Sequence, residues 1–205
     1  MADSPRPDAE AKPIRAFVAL SAPVDLIAAV TRWQSGALDG GLRAIPADAL
    51  HLTLAFLGDL TPAEVDRAEA VVRSLRPRTV PLRLRPEPVG VPAGRPRVIA
   101  FEAESPAAVA LQRELADALV HAGIYEPEPR PFWPHLSAAR VRAGGGRRGC
   151  GGPGPDRLPP LDRDGLGTAN AVRVALYRSE LRTQGARYRS LAAIDLPQKA
   201  ADEVI

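Results

Sequence analysis

The sequence predicts an α+β fold built mostly on antiparallel strands, and three observations carry that prediction. Segments with strand and helix patterns follow one another irregularly, without the strict strand-helix repeat of a parallel sheet. The chain has 205 residues, 45% hydrophobic and 25% charged, enough for one sizeable core. A tetrapeptide of the form His-Leu-hydroxyl-apolar occurs once in each half, which gives the sequence a weak internal symmetry.

Residues 1–12 are polar with two prolines and read as a flexible leader. Ile14 to Leu20 reads as a strand, and Pro23 suits the start of a helix whose Val24, Ile27, Ala28 and Thr31 recur at helical spacing toward Leu38. A second strand is expected from Leu50 to Leu57, stopping at Gly58-Asp59. Thr61-Pro62-Ala63-Glu64 then supplies an N-cap, a proline at the first helical position and a capping-box glutamate. Strands are expected at Val80–Arg85 and Arg97–Glu104, separated by the turn-rich Pro86–Pro96, and Ser105-Pro106 opens a helix to about Ala122. A strand around Pro134–Arg142 is followed by 143–160, so rich in Gly and Pro that it reads as a mobile loop. Strands at Val172–Tyr177 and Tyr188–Ile194 close a single domain spanning 13–196, with 197–205 as a tail.

Composition narrows the function classes. The net charge of +3 and pI near 9.5 suit a polyanionic partner, although 25 of the 27 basic residues are arginine amid abundant Pro, Ala and Gly, a bias that a solvated surface also explains. Cys150 is the single cysteine, which rules out an intramolecular disulfide framework and fits a reducing cytoplasm. The apolar run Ala16–Val30 is broken by Pro23 and Asp25 and preceded by Asp3, Asp8 and Glu10, so neither a secretory leader nor a membrane span is expected. No His-x-x-x-His or cysteine pair offers a metal site, and no glycine-rich nucleotide loop opens a helix, so neither metal nor cofactor is expected.

The chemistry concentrates in the histidines. Two of the three lie in His51-Leu52-Thr53-Leu54 and His135-Leu136-Ser137-Ala138. Side chains alternate across a strand, so His51 shares a face with Thr53, and His135 with Ser137, while the intervening apolar residues anchor the core. Imidazole titrates near neutral pH, so two of them can divide a phosphoryl displacement into proton abstraction and proton donation. Thr53 and Ser137 can donate to nonbridging phosphate oxygens, as can Arg140, five residues beyond His135. His121, by contrast, ends a helix just before Gly123 and reads as a residue serving the helix dipole.

Four segments resemble the 2H phosphoesterase family, in particular the RNA 2',3'-cyclic phosphodiesterases also known as 2'-5' RNA ligases. They are Arg15-Ala16-Phe17-Val18-Ala19-Leu20, Leu50-His51-Leu52-Thr53-Leu54-Ala55-Phe56-Leu57-Gly58, Arg130-Pro131-Phe132-Trp133-Pro134-His135-Leu136-Ser137, and Leu176-Tyr177-Arg178-Ser179-Glu180-Leu181 with Tyr188. The likeness spans almost the whole chain. It implies two pseudo-symmetric lobes of mostly antiparallel sheet with flanking helices and a catalytic cleft between them. It also implies hydrolysis of an RNA-terminal 2',3'-cyclic phosphate to a 2'-phosphomonoester, with His51 as proton donor to the departing 3'-oxygen and His135 as the acceptor that activates water. Ser137 stands where threonine is commoner and keeps the hydroxyl; Ala138 replaces a larger apolar residue.

The expected partner is therefore an RNA end or oligonucleotide carrying a cyclic phosphate, bound by a monomer away from any membrane. Arg130, Phe56, Phe132 and Tyr188 are the candidate RNA contacts, with Trp133 a further aromatic that a base could stack on. The same residues leave two other readings open. One keeps the site and changes the substrate to a small cyclic nucleotide or a 2',5'-linked oligonucleotide, or runs the reaction as ligation. The other is an RNA-end-binding module without turnover.

Overall fold

The computed structural model describes residues 12–38, 41–142, 157–162, 167–182 and 185–198. The leader to residue 11, residues 143–156 of the Gly/Pro-rich loop with Cys150, and the tail from 199 lie outside them. The order of elements is β1 (Ile14–Ser21), α1 (Val24–Ala37), β2 (Leu42–Ala44), a 3-10 turn (Ala47–Ala49), β3 (His51–Leu60), α2 (Pro62–Ser74), β4 (Pro81–Val91), β5 (Val98–Glu104), α3 (Pro106–His121), β6 (His135–Val141), β7 (Ala169–Asn170), β8 (Arg173–Arg182) and β9 (Gly185–Asp195).

Every strand pairing is antiparallel, and the strands form one curled sheet in the order β7-β4-β5-β6-β3-β1-β8-β9, with β2 alongside β6. The order is close to palindromic about the β6–β3 seam. Each lobe contributes a histidine-bearing strand at the centre and three strands outward from it. At the seam itself the ladder is short, with Leu52 opposite Leu136. Both leucines are almost fully buried, in a core that also takes Leu26 of α1, Val65 of α2 and Leu111 of α3. Burying each contributes about 1.5–3 kcal/mol, so the two lobes are joined by apolar packing where hydrogen bonding is sparse.

The helix starts follow the sequence. Thr61 Oγ1 accepts from Glu64 N and the Glu64 carboxylate accepts from Thr61 N, completing the capping box, while Ser105 Oγ accepts from Ala108 N at the start of α3. His121 sits exposed in the last turn of α3, away from the other two histidines.

Three expectations are corrected. The strand expected to stop at Gly58-Asp59 continues to Leu60, because Gly58 adopts φ +72° and absorbs an irregularity opposite Ala16 without ending the ladder. The Pro86–Pro96 turn region is half strand: β4 runs to Val91, with a register shift between Leu84 and Pro88 where the prolines cannot donate. The closing strands are longer than expected and form a hairpin from Arg173 to Asp195. The short β2 and β7 carried too few residues to show a pattern.

One buried polar side chain ties a helix to the seam. Gln34 of α1 donates through Nε2 to Ile45 O at 2.9 Å and to Ala138 O at 2.8 Å. Replacing Gln34 by leucine removes both bonds from a buried site and is expected to cost about 1–3 kcal/mol, lowering Tm by several degrees. The exposed Thr31→Ala, whose hydroxyl bonds only within its helix, should leave the thermal melt nearly unchanged.

Candidate active site

The antiparallel seam determines what the two tetrapeptides can do together. Extending the Leu52–Leu136 register by one residue each way sets His51 across from Ser137 and Thr53 across from His135. Each imidazole therefore faces the other strand's hydroxyl. All four side chains line a cleft of about 450 Å³.

Both imidazoles are held in the same way. His51 Nδ1 lies 2.8 Å from Ala49 O, and His135 Nδ1 lies 2.9 Å from Trp133 O, in each case the carbonyl two residues back. A carbonyl only accepts, so Nδ1 carries the proton in both rings and Nε2 is left as the nitrogen that can exchange one. An aromatic ring backs each imidazole as well. Phe17 of β1 stacks on His51 with centroids 4.9 Å apart, and Trp133 stacks on His135 at 4.4 Å. Tyr188 of β9 meets His51 edge-on at 5.3 Å.

The strands also share an irregularity. Between Ala19↔Thr53 and Val18↔Ala55, β3 carries one extra residue, Leu54; between Ala100↔Ser137 and Ile99↔Ala139, β6 carries one extra residue, Ala138. A bulge of this kind reverses the alternation beyond it. Simple alternation puts Arg140 on the face opposite His135, but the bulge at Ala138 returns it to the cleft, where it is exposed among the lining residues. The matching bulge at Leu54 does the same for Phe56, which is 61% exposed and borders the cleft. The two lobes thus place a guanidinium and a phenyl ring at equivalent positions.

Sequence reasoning missed two further cations at the cleft, Arg15 of β1 and Arg43 of β2, the latter in register with Arg140. Arg15 and Phe17 stand in the first segment of the family resemblance, which was the available signal; Arg43 had none. No carboxylate lines the cleft among the described residues, so its electrostatics are those of an anion site. Burial lowers His51 to about 4, and the nearby His135 and Arg140 push in the same direction, against the hydrogen bond to Ala49. His51 is therefore neutral at neutral pH in the protein alone.

The structure separates the remaining candidates. Tyr188 and Phe56 reach the cleft, whereas Arg130 and Phe132 line a second pocket of about 410 Å³ that shares Thr53, Phe56 and His135 with it. Among the described residues no cluster of three or more His, Cys, Asp or Glu side chains is arranged to hold a metal ion, and no helix is long and apolar enough to cross a membrane.

The model of the 2'-5' RNA ligase superfamily matches residues 22–144, more than half of the chain and inclusive of both histidine strands. The chain belongs to that superfamily. A relative from Methanothermobacter thermautotrophicus, named RNA 2',3'-cyclic phosphodiesterase, is 30% identical over 188 residues, covering 89% of this chain and 99% of the relative. Another of the same name from Thermus thermophilus is 30% identical over 192 residues, covering 89% and 90%. The crystal structure of TT0787 of Thermus thermophilus superposes with a TM-score of 0.73 at 28% identity, over 91% of this chain and 100% of that one. The superfamily frame thus extends across both lobes, and the resemblance noted in the four sequence segments holds over most of the chain.

Proposed function

We propose that this chain is a 2H phosphoesterase acting as an RNA 2',3'-cyclic phosphodiesterase, in which a bilobal domain spanning 13–196 opens the ring to a 2'-phosphomonoester. The observation that carries the reading is the pair of imidazoles, each clamped at Nδ1 and each facing a hydroxyl across the seam. The names of the two 30% identical relatives support the substrate.

The chemistry follows from the residues. The cyclic phosphate enters the cationic cleft, where Thr53, Ser137 and Arg140 donate to its nonbridging oxygens. Its negative charge favours the imidazolium and raises His51, so that Nε2 of His51 takes up a proton. His135 Nε2 removes a proton from water as the water oxygen bonds to phosphorus; the P–O3' bond breaks, and His51 protonates O3'. No metal is assigned to any step. A reducing cytoplasm, expected from the lone Cys150, and a monomeric state fit an enzyme working on RNA ends.

A short RNA ending in a 2',3'-cyclic phosphate, incubated with the protein in EDTA, is expected to yield the 2'-phosphate at an undiminished rate. Formation of the 3'-isomer would overturn the allocation of the leaving oxygen, and a loss reversed by added metal would overturn the metal-free mechanism. The pH profile gives a second check. Activity is expected to be bell-shaped. His51 donates only when protonated, so its loss of a proton sets the alkaline limb of kcat; bound phosphate favours the imidazolium, so that limb should lie well above the value of about 4 that His51 holds in the free protein. An alkaline limb of kcat close to that value would show that substrate charge does not reach His51.

A further inference from the structure

One buried polar side chain has no part in the proposed chemistry and yet holds two of the strands that carry it. Gln34 of α1 is 8% exposed, and its Nε2 donates to Ala138 O at 2.8 Å and to Ile45 O at 2.9 Å, one amide hydrogen for each carbonyl. Ala138 is the extra residue of the β6 bulge, two positions before Arg140. Ile45 lies two positions after Arg43, lines the cleft, and donates its own N–H to Ala138 O at 3.0 Å. Arg43 and Arg140 are paired in register between β2 and β6. The amide therefore grips both arginine-bearing strands two residues from each arginine.

The other lobe has the matching bulge without the clamp. α1 packs on β6, and α3 packs on β3. Gln34 is the eleventh residue of α1, and the eleventh of α3 is Ala116, which has no side-chain donor. The second pocket lies against Ala116 and Leu54, so the bulge that turns Phe56 has a cavity beside it where the bulge that turns Arg140 has an amide. A ring that offers only a surface tolerates that freedom, whereas a guanidinium aimed at phosphate oxygens does not. The bulge and the cost of burying a guanidinium choose the face on which Arg140 stands. They do not fix its position to within an ångström, because the extra residue of a bulge is unpaired in its ladder, and a misplacement of about 1 Å in a catalytic site costs about 10²-fold in rate.

We infer that Gln34 is a positioning residue for the phosphate site: by joining the β6 bulge to the end of β2, it fixes where Arg140 stands in the cleft. It touches no reacting atom. The inference rests on the phosphodiesterase reading, in which Arg140 donates to a nonbridging oxygen.

A double-mutant cycle on hydrolysis of an RNA-terminal 2',3'-cyclic phosphate, run well below the Tm of each variant, tests it. Gln34→Leu and Gln34→Met both remove the two bonds, the second with little change in side-chain length. Each is expected to lower kcat at least about tenfold when Arg140 is present. In Arg140→Ala, where no guanidinium remains to be placed, the same changes should cost less than about twofold. Val65→Ala, a core truncation in α2, is the control for lost stability: it should lower Tm and leave kcat within about twofold in both backgrounds. Losses from the Gln34 variants that are equal in the two backgrounds, or no loss in either, would overturn the inference. Titration of the His51 imidazole by NMR reads the placement without turnover. Burial lowers His51 most, and His135 and Arg140 add to it. A displaced guanidinium lets the value rise from about 4, so Gln34→Met should move it in the same direction as Arg140→Ala, and Val65→Ala should not. An unchanged titration in Gln34→Met beside a shifted one in Arg140→Ala would overturn the inference. Absence of hydrolysis by the unmodified protein would remove the phosphodiesterase reading, and the titration alone would then decide whether Gln34 places Arg140.

Discussion

Alanine at His51 or at His135 is expected to lower kcat by about 10²- to 10⁴-fold, with the protein still folded. Both rings are half-buried at the start of a strand, and neither supplies a ladder hydrogen bond through its side chain. On the proposed mechanism each variant loses one proton transfer. Two groups proposed to act in one displacement predict a double variant about as slow as the slower single one instead of the product of the two losses. The separate roles can be read with a phosphodiester whose leaving group is a weak base, such as a nitrophenolate. That group departs without protonation, so it should restore much of the rate to His51→Ala and little to His135→Ala. Rescue of His135→Ala alone would exchange the two roles, and full activity of either variant on the RNA substrate would remove the acid/base pair.

The hydroxyls come second in expected size. Thr53→Ala and Ser137→Ala should each lower kcat by about 10²-fold, the usual loss when one donor to a developing oxyanion is removed from a preorganised site. The register puts each hydroxyl across from the opposite strand's imidazole, where the proposed mechanism has the free oxygens of the phosphate. Ground-state binding changes less than charge stabilisation, so the effect should appear in kcat more than in KM. Thr53→Ser and Ser137→Thr keep the oxygen and should stay close to the unmodified rate. If the alanine variants were as active as these, the hydroxyls would be no more than strand residues.

Much of this site was legible because it is local. A histidine, a hydroxyl two residues on and a leucine between them state a strand with a polar face and a core face, and the duplicate points to a pair of such strands. The capping box at Thr61 was equally local, and so was the proline start of α3. Arg140 shows where such reading stops. Counting by twos puts it on the wrong face; the extra residue at Ala138, visible only in the pairing with β5, brings it back. The continuation of β3 through Gly58 depends on β1 in the same way.

The aromatic supports divide along the same line. Trp133 lies two residues before His135 and could be suspected from its position, whereas Phe17 reaches His51 from a strand 34 positions earlier in the chain. Arg43 comes from a three-residue strand that no periodicity announces. Arg130 and Phe132, adjacent to the second motif in sequence, turn out to face the neighbouring pocket, because the chain before β6 passes along α3 instead of across the seam.

By itself the sequence determined the α+β class, the helix starts and the two strand motifs that line the cleft, since each depends on the side-chain pattern of a few consecutive residues. Tertiary structure alone decided that each histidine faces the other strand's hydroxyl, that bulges turn Arg140 and Phe56 into the cleft, and that one wall is cationic while its neighbour is aromatic. The physical reason is that strand register and bulges are properties of a pair of strands, fixed by hydrogen bonds and packing between segments far apart in the chain.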